Sequence, residues 1–257
     1  MRISFEKCVS IIFDAKNIAL FCHTRPDGDS LGAALALKKA LIKAGKKASV
    51  FCDDTIPEKF ESFGFKNHFL KEYINDNFDL FIAVDCGDLN RLGAFSAVFN
   101  SHKNTLTIDH HLGHDDFGTF TYVEGLSSTC EIILNMCLKK GISLDDSIAT
   151  ALFIGLSTDT GNFKHSNTNK NTFAAAQILA GYNVDIAEIN RKFYNENSIK
   201  KLKLLGLALT NMRSFFEGKL CIIFVTQNDF NKANASMEDT EGFKTLRNPS
   251  IHNHLLS

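Results

Sequence analysis

Four short apolar segments in the first half of the chain have the length and composition of buried β-strands. These segments are NIALFCH (17–23), KASVFC (47–52), DLFIAVDC (79–86) and NTLTIDHH (104–111). They are rich in β-branched and aromatic residues, which favour extended structure. Between the first two lies DSLGAALALKKALIKAG (29–45), whose alanines, leucines and lysines favour a helix that ends at Gly45. This alternation predicts an α/β fold in which a parallel sheet is flanked by helices.

From about residue 127 the apolar positions recur with the spacing of helices. We predict helices over four segments, which are 127–141, 143–163, 169–183 and 195–212. The last of these is expected to connect two domains, and 218–230 is typical of a strand that leads into another helix. The predicted organisation is therefore a catalytic domain over 1–190, a linker helix over 191–214, and a short partial α/β domain over 215–257. A unit of that last size would have little core of its own.

Three of the predicted strands end in a polar cluster. After the first strand, FCHTRPDGDSLG (21–32) places one histidine and two aspartates within seven residues, while Asp85 ends another strand and 109–111 reads DHH. Pro-Asp-Gly is also good turn chemistry, and Asp29 or Ser30 could cap the next helix, so a plain turn is the alternative interpretation of the first cluster. Because ligands bind beyond the carboxyl ends of parallel strands, we expect the clusters to share one site.

The polar side chains of these clusters, together with Asp159, have the chemistry of a site for divalent metal ions. Four carboxylates and two imidazoles are available as ligands, from Asp27, Asp29, Asp85, Asp159, His23 and His110. Carboxylate oxygens with some imidazole suit Mn²⁺ or Mg²⁺. Six ligands also suit two octahedral ions that share a carboxylate better than one tetrahedral zinc ion. Two such ions could clamp a phosphate and activate water for its hydrolysis.

Four motifs occur in order between residues 17 and 170, namely HTRPDGDSLG, VDCGD, DHH and STDTGNF. In order and approximate spacing they resemble the four motifs of the DHH phosphoesterase superfamily. The segment TDTGNFKHSNT and the later EGF…LR are similar to its branch of oligoribonucleases and 3′-phosphoadenosine 5′-phosphate phosphatases. The resemblance implies a metal-dependent phosphoesterase that hydrolyses short oligoribonucleotides, 3′-phosphoadenosine 5′-phosphate, or both. With four motifs in order, metal ligation is favoured over a plain turn for 21–32.

The resemblance also implies a role for each residue of the metal site. Asp85 would bridge two divalent ions and so take part in catalysis. The ligands of the first ion would be His23 and Asp27, and those of the second would be Asp29, His110 and Asp159. Mn²⁺ is the favoured ion, with Mg²⁺ or Co²⁺ as alternatives. His111 would stabilise negative charge on the substrate phosphate, and Asp109 would orient the imidazoles.

Two further residues are candidates for substrate contact, and each has a plain alternative. His165 could contact a base or a phosphate, or it could be an exposed loop histidine. Arg247 could bind the substrate, or it could be a surface arginine near the chain terminus. The run SST at 127–129 could receive phosphate on backbone N–H groups, although N-capping of a helix explains it equally well. Surface positions are expected for His68, His102, His114, Asp115, Asp116, His252 and His254.

The C-terminal part departs from the family pattern. A substrate-binding domain in this superfamily usually ends in a glycine-rich segment similar to GGGH, and this chain has none, Gly242 being its last glycine. We therefore expect a shortened substrate-binding domain, which could weaken nucleotide affinity while the metal site survives. Two alternative functions stay open at this point. One is an inorganic pyrophosphatase or polyphosphatase on the same motifs, and the other is a non-catalytic, truncated metal-binding product.

Composition narrows the class of partner. The 257 residues are 44% hydrophobic and 22% charged with a formal net charge of −1, which favours a short RNA or nucleotide over long nucleic acid. No apolar stretch reaches membrane-spanning length, and residues 1–16 have the pattern of an amphipathic helix rather than a signal peptide. We therefore expect a cytoplasmic protein with no membrane partner, and a homodimer is left open. The seven cysteines include no C-x-x-C motif and are expected to be buried, reduced thiols.

Overall fold

The computed structural model describes residues 1–240 and residue 243. Arg247, His252 and His254 lie outside the described residues. The helices of the described part are α1 (Phe5–Asp14), α2 (Gly28–Lys43), α3 (Ser96–Ser101), α4 (Thr129–Lys140), α5 (Asp146–Asp159), α6 (Lys170–Leu179), α7 (Ile186–Asn190), α8 (Ile199–Thr210) and α9 (Gln227–Ala233). The strands are β1 (Asn17–Phe21), β2 (Lys47–Phe51), β3 (Phe69–Leu70), β4 (Leu80–Val84), β5 (Thr105–Asp109), β6 (Phe120–Val123), β7 (Arg213–Phe215) and β8 (Leu220–Ile222).

Strands β1 to β6 form one sheet in which every neighbouring pair is parallel. Their order across the sheet is β3-β2-β1-β4-β5-β6. This arrangement confirms the predicted α/β fold, and the four predicted strands correspond to β1, β2, β4 and β5. The sequence pattern does not predict β3 and β6, because strands of two and four residues are too short to show a periodicity.

Helix α2 begins within the polar cluster that follows β1. Asp27 is its N-cap residue, and its Oδ1 accepts hydrogen bonds from the backbone N–H groups of Asp29 and Ser30 at 3.1 and 3.0 Å. The expectation that Asp29 or Ser30 caps the helix is wrong, because both already lie in its first turn. The helix ends at Lys43, and Gly45, with φ of 76°, then adopts the left-handed conformation that favours glycine.

Apolar side chains pack on both faces of the sheet. Along β1, Ile18 and Leu20 belong to one apolar cluster, whereas Ala19 and Phe21 belong to a second. Successive residues of a strand point to opposite faces, so both faces of β1 are buried, as is typical of a parallel sheet. Helices α2, α4 and α5 contribute to the first cluster, and phenylalanine side chains dominate the second.

The chain divides into two units, residues 1–193 and 194–257. In the second unit, α8 lies within the helix predicted over 195–212, and β7 and β8 form an antiparallel pair before α9. The strand and helix predicted within 218–230 correspond to β8 and α9, whereas β7 is an additional strand. The predicted division into 1–190, 191–214 and 215–257 stays a prediction.

The burial of individual side chains agrees with the sequence analysis for the cysteines but not for His114. All seven cysteines are free, and six of them are buried. His114 has no exposed side-chain surface, so its expected surface position is wrong, whereas Asp115 and Asp116 are exposed as expected. None of the helices within residues 1–240 is long and apolar enough to cross a membrane.

Candidate metal centre

The loops that follow β1, β4 and β5 meet at one edge of the sheet. These strands are parallel neighbours, so their carboxyl ends lie side by side. The direction of strand addition also reverses between β1 and β4, since β2 and β3 extend the sheet on one side and β5 and β6 on the other. In open α/β sheets such a reversal leaves a crevice in which ligands bind. The polar clusters at these strand ends therefore lie where a ligand site is expected.

Asp85 lies at the centre of this site, directly after β4. Its Oδ2 is 3.7 Å from Nε2 of His23, and its Oδ1 is 3.8 Å from Nε2 of His110. The carboxylate is almost fully buried. The backbone of Asp85 has φ of 56°, in the left-handed region that residues other than glycine rarely adopt but that Asp and Asn tolerate best. Asp85 thus has a strained backbone, and its buried carboxylate faces imidazoles from two different strand ends.

His23 and Asp27 form one side of the site. Nδ1 of His23 faces the carbonyl oxygen of Thr24 at 2.8 Å and Nη2 of Arg91 at 3.0 Å, so Nε2 is the nitrogen that faces the carboxylates. Nε2 lies 3.7 Å from Oδ2 of Asp27, whose other oxygen caps helix α2. His23, Asp27 and Asp85 each place one ligand atom within 4.8 Å of the others.

The N-terminus of helix α4 holds Asp29. Its Oδ2 accepts a hydrogen bond from the backbone N–H of Thr129 at 2.6 Å, and its Oδ1 accepts one from the backbone N–H of Cys130 at 2.8 Å. The Thr129 hydroxyl also donates to Oδ1 of Asp85 at 3.1 Å. The residue before Thr129 caps the helix. N-capping is therefore confirmed for Ser128. Asp29 occupies the N–H groups of Thr129 and Cys130, which does not favour phosphate binding there, and that alternative stays a prediction.

His110 and Asp159 form the other side of the site. Nε2 of His110 lies 3.4 Å from Oδ2 of Asp159 and 3.9 Å from Oδ2 of Asp29, while its Nδ1 faces the Leu126 carbonyl oxygen at 3.2 Å. Asp159 is the last residue of α5, and Nδ2 of Asn167 lies 3.5 Å from its Oδ2. Asp29, His110 and Asp159 make up a second group of ligand atoms within 4.8 Å of one another.

The second histidine of the DHH motif has a different environment from the first. His111 is half-exposed, and its Nδ1 lies 2.7 Å from Oδ1 of Asp109. The same oxygen accepts a hydrogen bond from the backbone N–H of His111 at 3.0 Å. This bonding to Asp109 raises the pKa of His111 to about 9. Asp109 itself is fully buried, so it fixes the imidazole ring from inside the protein.

The carboxylates of the site crowd negative charge into a buried space. Burial and the neighbouring Asp29 hold the pKa of Asp85 well above its usual range. Burial and Asp27 raise the pKa of Asp29 to about 6. Burial and Asp29 raise the pKa of Asp159 to about 7. Burial alone would lower the pKa of His23, but Asp27 and Asp85 raise it to about 10. Bound cations would relieve this repulsion and displace the protons.

The donor set fits divalent metal ions. Three overlapping groups of ligand atoms occur among the described residues, and Asp85 and His110 each belong to two of them. Nε2 of His110 is buried without a hydrogen-bond partner in the described part of the chain, although buried polar atoms normally have one. Carboxylates with imidazoles are the ligands that ions such as Mn²⁺ accept. The residues present can therefore hold divalent cations.

Of the two residues predicted to contact the substrate, the structure describes only His165. His165 is exposed, and its Nδ1 lies 3.3 Å from the carbonyl oxygen of Asp159, so it borders the site. Arg247 lies outside the described residues. Sequence reasoning missed three contacts with the ligands of the site. Arg91 contacts His23, the hydroxyl of Thr129 bonds to Asp85, and Asn167 contacts Asp159. Each comes from a loop or a helix start, and no spacing in the sequence connects it to its partner.

The fold and the site define a class of protein. It is a parallel α/β domain that carries carboxylates and imidazoles where the order of the strands reverses. The DHH family, N-terminal domain, matches residues 17–156, which is more than half of the chain. The chain therefore belongs to the DHH family, as the order of its motifs predicts. The match covers the polar clusters that follow β1, β4 and β5.

Several relatives carry the name bifunctional oligoribonuclease and PAP phosphatase NrnA. The chain is 34% identical over 207 residues to the one from Mycoplasma genitalium, covering 78% of this chain and 64% of that protein. It is 27% identical over 219 residues to the one from Bacillus subtilis, covering 84% and 68%. The chain thus spans about two thirds of the length of these relatives. An exopolyphosphatase-related protein from Bacteroides fragilis has the same fold, with a TM-score of 0.85 at 24% identity over 94% of this chain and 75% of that one.

Proposed function

We propose that this chain is a two-metal phosphoesterase that hydrolyses short oligoribonucleotides, 3′-phosphoadenosine 5′-phosphate, or both. The observation that carries the proposal is the position of Asp85 between two groups of ligand atoms. One of its oxygens faces His23 and the other faces His110. Asp85 belongs to one group of ligand atoms with His23 and Asp27 and to another with Asp109, His110 and His111, and the atoms of each group lie within 4.8 Å of one another. Two divalent ions that act on one phosphate lie roughly 3.5–4 Å apart, a separation that one carboxylate can bridge.

Six side chains would hold the two ions. Asp85 is shared between the ions in this proposal. The remaining ligands are His23 and Asp27 for one ion, and Asp29, His110 and Asp159 for the other. When bound, two divalent ions polarise a phosphate and lower the pKa of a water molecule so that it can attack phosphorus near neutral pH. Mn²⁺ is favoured because it accepts imidazole together with carboxylate, whereas Mg²⁺ prefers oxygen ligands and Co²⁺ is a further alternative.

His111 would act on the substrate phosphate. The ring is half-exposed, and its hydrogen bond to Asp109 favours the protonated form. A positive imidazolium at this position would stabilise the negative charge that grows on the phosphate oxygens in the transition state. Asp109 would keep the ring in that orientation. His165, which borders the site beside Asp159, would contact a base or a second phosphate.

The substrate class in this proposal comes from the relatives and from the charge of the chain. The relatives named oligoribonuclease and PAP phosphatase align with 78% and 84% of this chain. A formal net charge of −1 provides no general attraction for long nucleic acid, so a short substrate is favoured. Water would cleave the 3′-phosphate ester of 3′-phosphoadenosine 5′-phosphate to release phosphate and adenosine 5′-monophosphate, and a phosphodiester of short RNA to release a nucleotide. The homodimer and the cytoplasmic location stay predictions.

The test is a hydrolysis assay on purified full-length chain. The substrates would be 3′-phosphoadenosine 5′-phosphate, a ribodinucleotide, a five-nucleotide RNA, a cyclic dinucleotide and pyrophosphate. Each is incubated with Mn²⁺, Mg²⁺ or Co²⁺, and with a chelator as the control. Phosphate release and nucleotide chromatography identify the products.

We expect turnover of 3′-phosphoadenosine 5′-phosphate or of the short RNAs that a chelator abolishes and Mn²⁺ restores best. Turnover of pyrophosphate alone would instead support an inorganic pyrophosphatase. Stoichiometric metal binding without hydrolysis of any substrate would mean that the chain is a metal-binding protein rather than an enzyme. Either of these last two results would contradict the proposed function.

A further inference from the structure

His114 is a buried histidine that the proposed metal site does not use. It lies on the loop after β5, three residues beyond His111, and its side chain has no exposed surface. Its ring stacks on Phe117, with ring centroids 5.3 Å apart and planes inclined by 11°. Neither ring nitrogen has a hydrogen-bond partner in the described part of the chain. Buried polar atoms of this kind call for a functional explanation.

Each nitrogen of His114 faces a carboxylate. Nε2 lies 3.9 Å from Oδ2 of Asp109, and Nδ1 lies 3.6 Å from Oδ1 of Asp116. Asp116 is fixed in turn by Arg2, whose Nε lies 3.1 Å from both of its oxygens. The imidazole is therefore held between a carboxylate at the surface and a carboxylate inside the protein.

The two carboxylate oxygens of Asp109 have different neighbours. Oδ1 faces His111 and accepts hydrogen bonds from it, whereas Oδ2 is buried without a hydrogen-bond partner among the described residues. Gly87 also approaches Oδ2, where an added Cβ would stand 3.6 Å away, but it presents no polar side chain. In the described part of the chain, His114 is a polar side chain that faces the second oxygen of Asp109.

We propose that His114 is a positioning residue that keeps the Asp109 carboxylate oriented toward His111. An N–H group of the His114 ring, directed at Oδ2, would resist rotation of the carboxylate, so that Oδ1 stays on Nδ1 of His111. Its consequence for catalysis rests on the proposed function, in which His111 acts on the phosphate. The effect of His114 on the ring of His111 does not depend on any substrate. Residues that orient catalytic or metal-binding groups in this way typically change activity by about 10–100-fold when replaced.

Three variants separate positioning from general destabilisation. His114→Leu removes both ring nitrogens while it keeps an apolar side chain against Phe117. His114→Gln restores an N–H donor with a similar reach. His102→Leu is the matched control, because His102 also stacks on a phenylalanine and contacts backbone carbonyl oxygens but has no contact with Asp109.

Two measurements are made on each variant. The first is the proton–nitrogen correlation spectrum of the histidine rings in the full-length protein without metal, with His111→Ala used to assign the His111 signals. The second is the separation of kcat from KM on the best nucleotide substrate with Mn²⁺. Thermal unfolding of each variant shows whether the fold is retained.

We expect His114→Leu to shift or broaden the His111 ring signals and to lower kcat about 10–100-fold, with KM changed by less than about threefold. His114→Gln should recover most of both properties, and His102→Leu should leave both unchanged. Unaltered His111 signals in His114→Leu would overturn the proposal, and so would equal losses in all three variants. If the wild-type protein hydrolyses no nucleotide, the proposed function fails, whereas the spectra still decide whether His114 positions His111.

Discussion

At the scale of single residues, Asp85 belongs to two groups of ligand atoms, and its surroundings hold the pKa of its carboxyl well above the usual range. We expect Asp85→Asn to lower turnover at least about 1,000-fold, because an amide cannot bridge two cations as a carboxylate does. The fold should be retained, since Asn has the same shape and also tolerates the left-handed backbone at φ of 56°. Relief of charge repulsion from Asp29 should keep the melting temperature at or above that of the wild type.

The measurement is Mn²⁺-dependent hydrolysis together with thermal unfolding of the Asp85→Asn protein. Glu131→Gln serves as a control for replacing a buried carboxylate by an amide, because Glu131 bonds to Ser127 and belongs to none of the groups of ligand atoms in the described residues. Retained Mn²⁺-dependent activity in well-folded Asp85→Asn protein would contradict the bridging role.

Metal binding should release protons from the ligands. The pKa of His23 is raised to about 10 and that of Asp159 to about 7, so at pH 7 the free site holds a proton on His23 and part of one on Asp159. One ion needs His23 deprotonated and the other needs Asp159 deprotonated, so the affinity for metal should rise as the pH increases from 6 to 8 and fall as the pH decreases. Titration calorimetry of Mn²⁺ in two buffers of different ionisation enthalpy measures the number of protons released. Equal heats in both buffers would exclude this coupling.

The residues of the site differ in how far the sequence alone could identify them. His23, Asp27 and Asp29 lie within seven residues at the end of a predicted strand, so a local pattern is enough to single them out. Thr129 bonds to Asp29 across 100 positions of the chain, and this contact exists only once α4 packs beside α2. The surface position expected for His114 is wrong. The neighbouring Asp115 and Asp116 indicate a solvent-exposed loop, but the ring of His114 is buried against Phe117.

At the scale of elements, the sequence pattern predicts the presence of a helix better than the residue at which the helix ends. The pattern predicts one helix over 143–163, but α5 ends at Asp159. Gly161, Asn162 and Phe163 follow with φ between 56° and 63°, a run of left-handed residues that no helix can contain. Glycine and asparagine signal such a turn, whereas phenylalanine does not. Asp159 is thus the last residue of α5, where its Oδ2 lies 3.4 Å from Nε2 of His110.

The close packing of α5 against the site predicts the effect of one small substitution. An added Cβ at Gly155 would stand 2.2 Å from Sγ of Cys130 and 2.9 Å from Oδ1 of Asp29. We expect Gly155→Ala to destabilise the protein by about 1–3 kcal/mol through overpacking. It should also weaken Mn²⁺ binding, because Asp29 and the start of α4 must shift together. Chemical denaturation and metal titration measure the two effects.

Gly206→Ala is the matched control for a glycine inside a helix. Gly206 lies within α8, and an added Cβ there would meet nothing within 4 Å. Its replacement should raise stability by up to about 1 kcal/mol through helix propensity and leave metal binding unchanged. If both substitutions had the same sign, close packing at Gly155 would not be the cause of its effect.

At the scale of the whole molecule, the candidate metal ligands and both apolar clusters belong to the first unit. The ligands lie between residues 23 and 159, and the last fully buried core residue of that unit is Ile189. We therefore expect a fragment of residues 1–193 to fold cooperatively and to bind Mn²⁺ with the stoichiometry of the full chain. Circular dichroism melting and metal titration of the two proteins provide the comparison.

A shorter fragment of residues 1–184 tests where the first unit ends. It lacks Ile189, and it lacks Phe193, whose ring centroid lies 5.0 Å from that of Phe60. It also lacks Asn190, which accepts a hydrogen bond from Asn162 at 2.6 Å in the turn that follows Asp159. We expect this fragment to melt at a lower temperature and to bind Mn²⁺ more weakly than residues 1–193, because the core and the Asp159 turn both lose support. Equal metal binding by the two fragments would show that α7 is not needed to hold the site together.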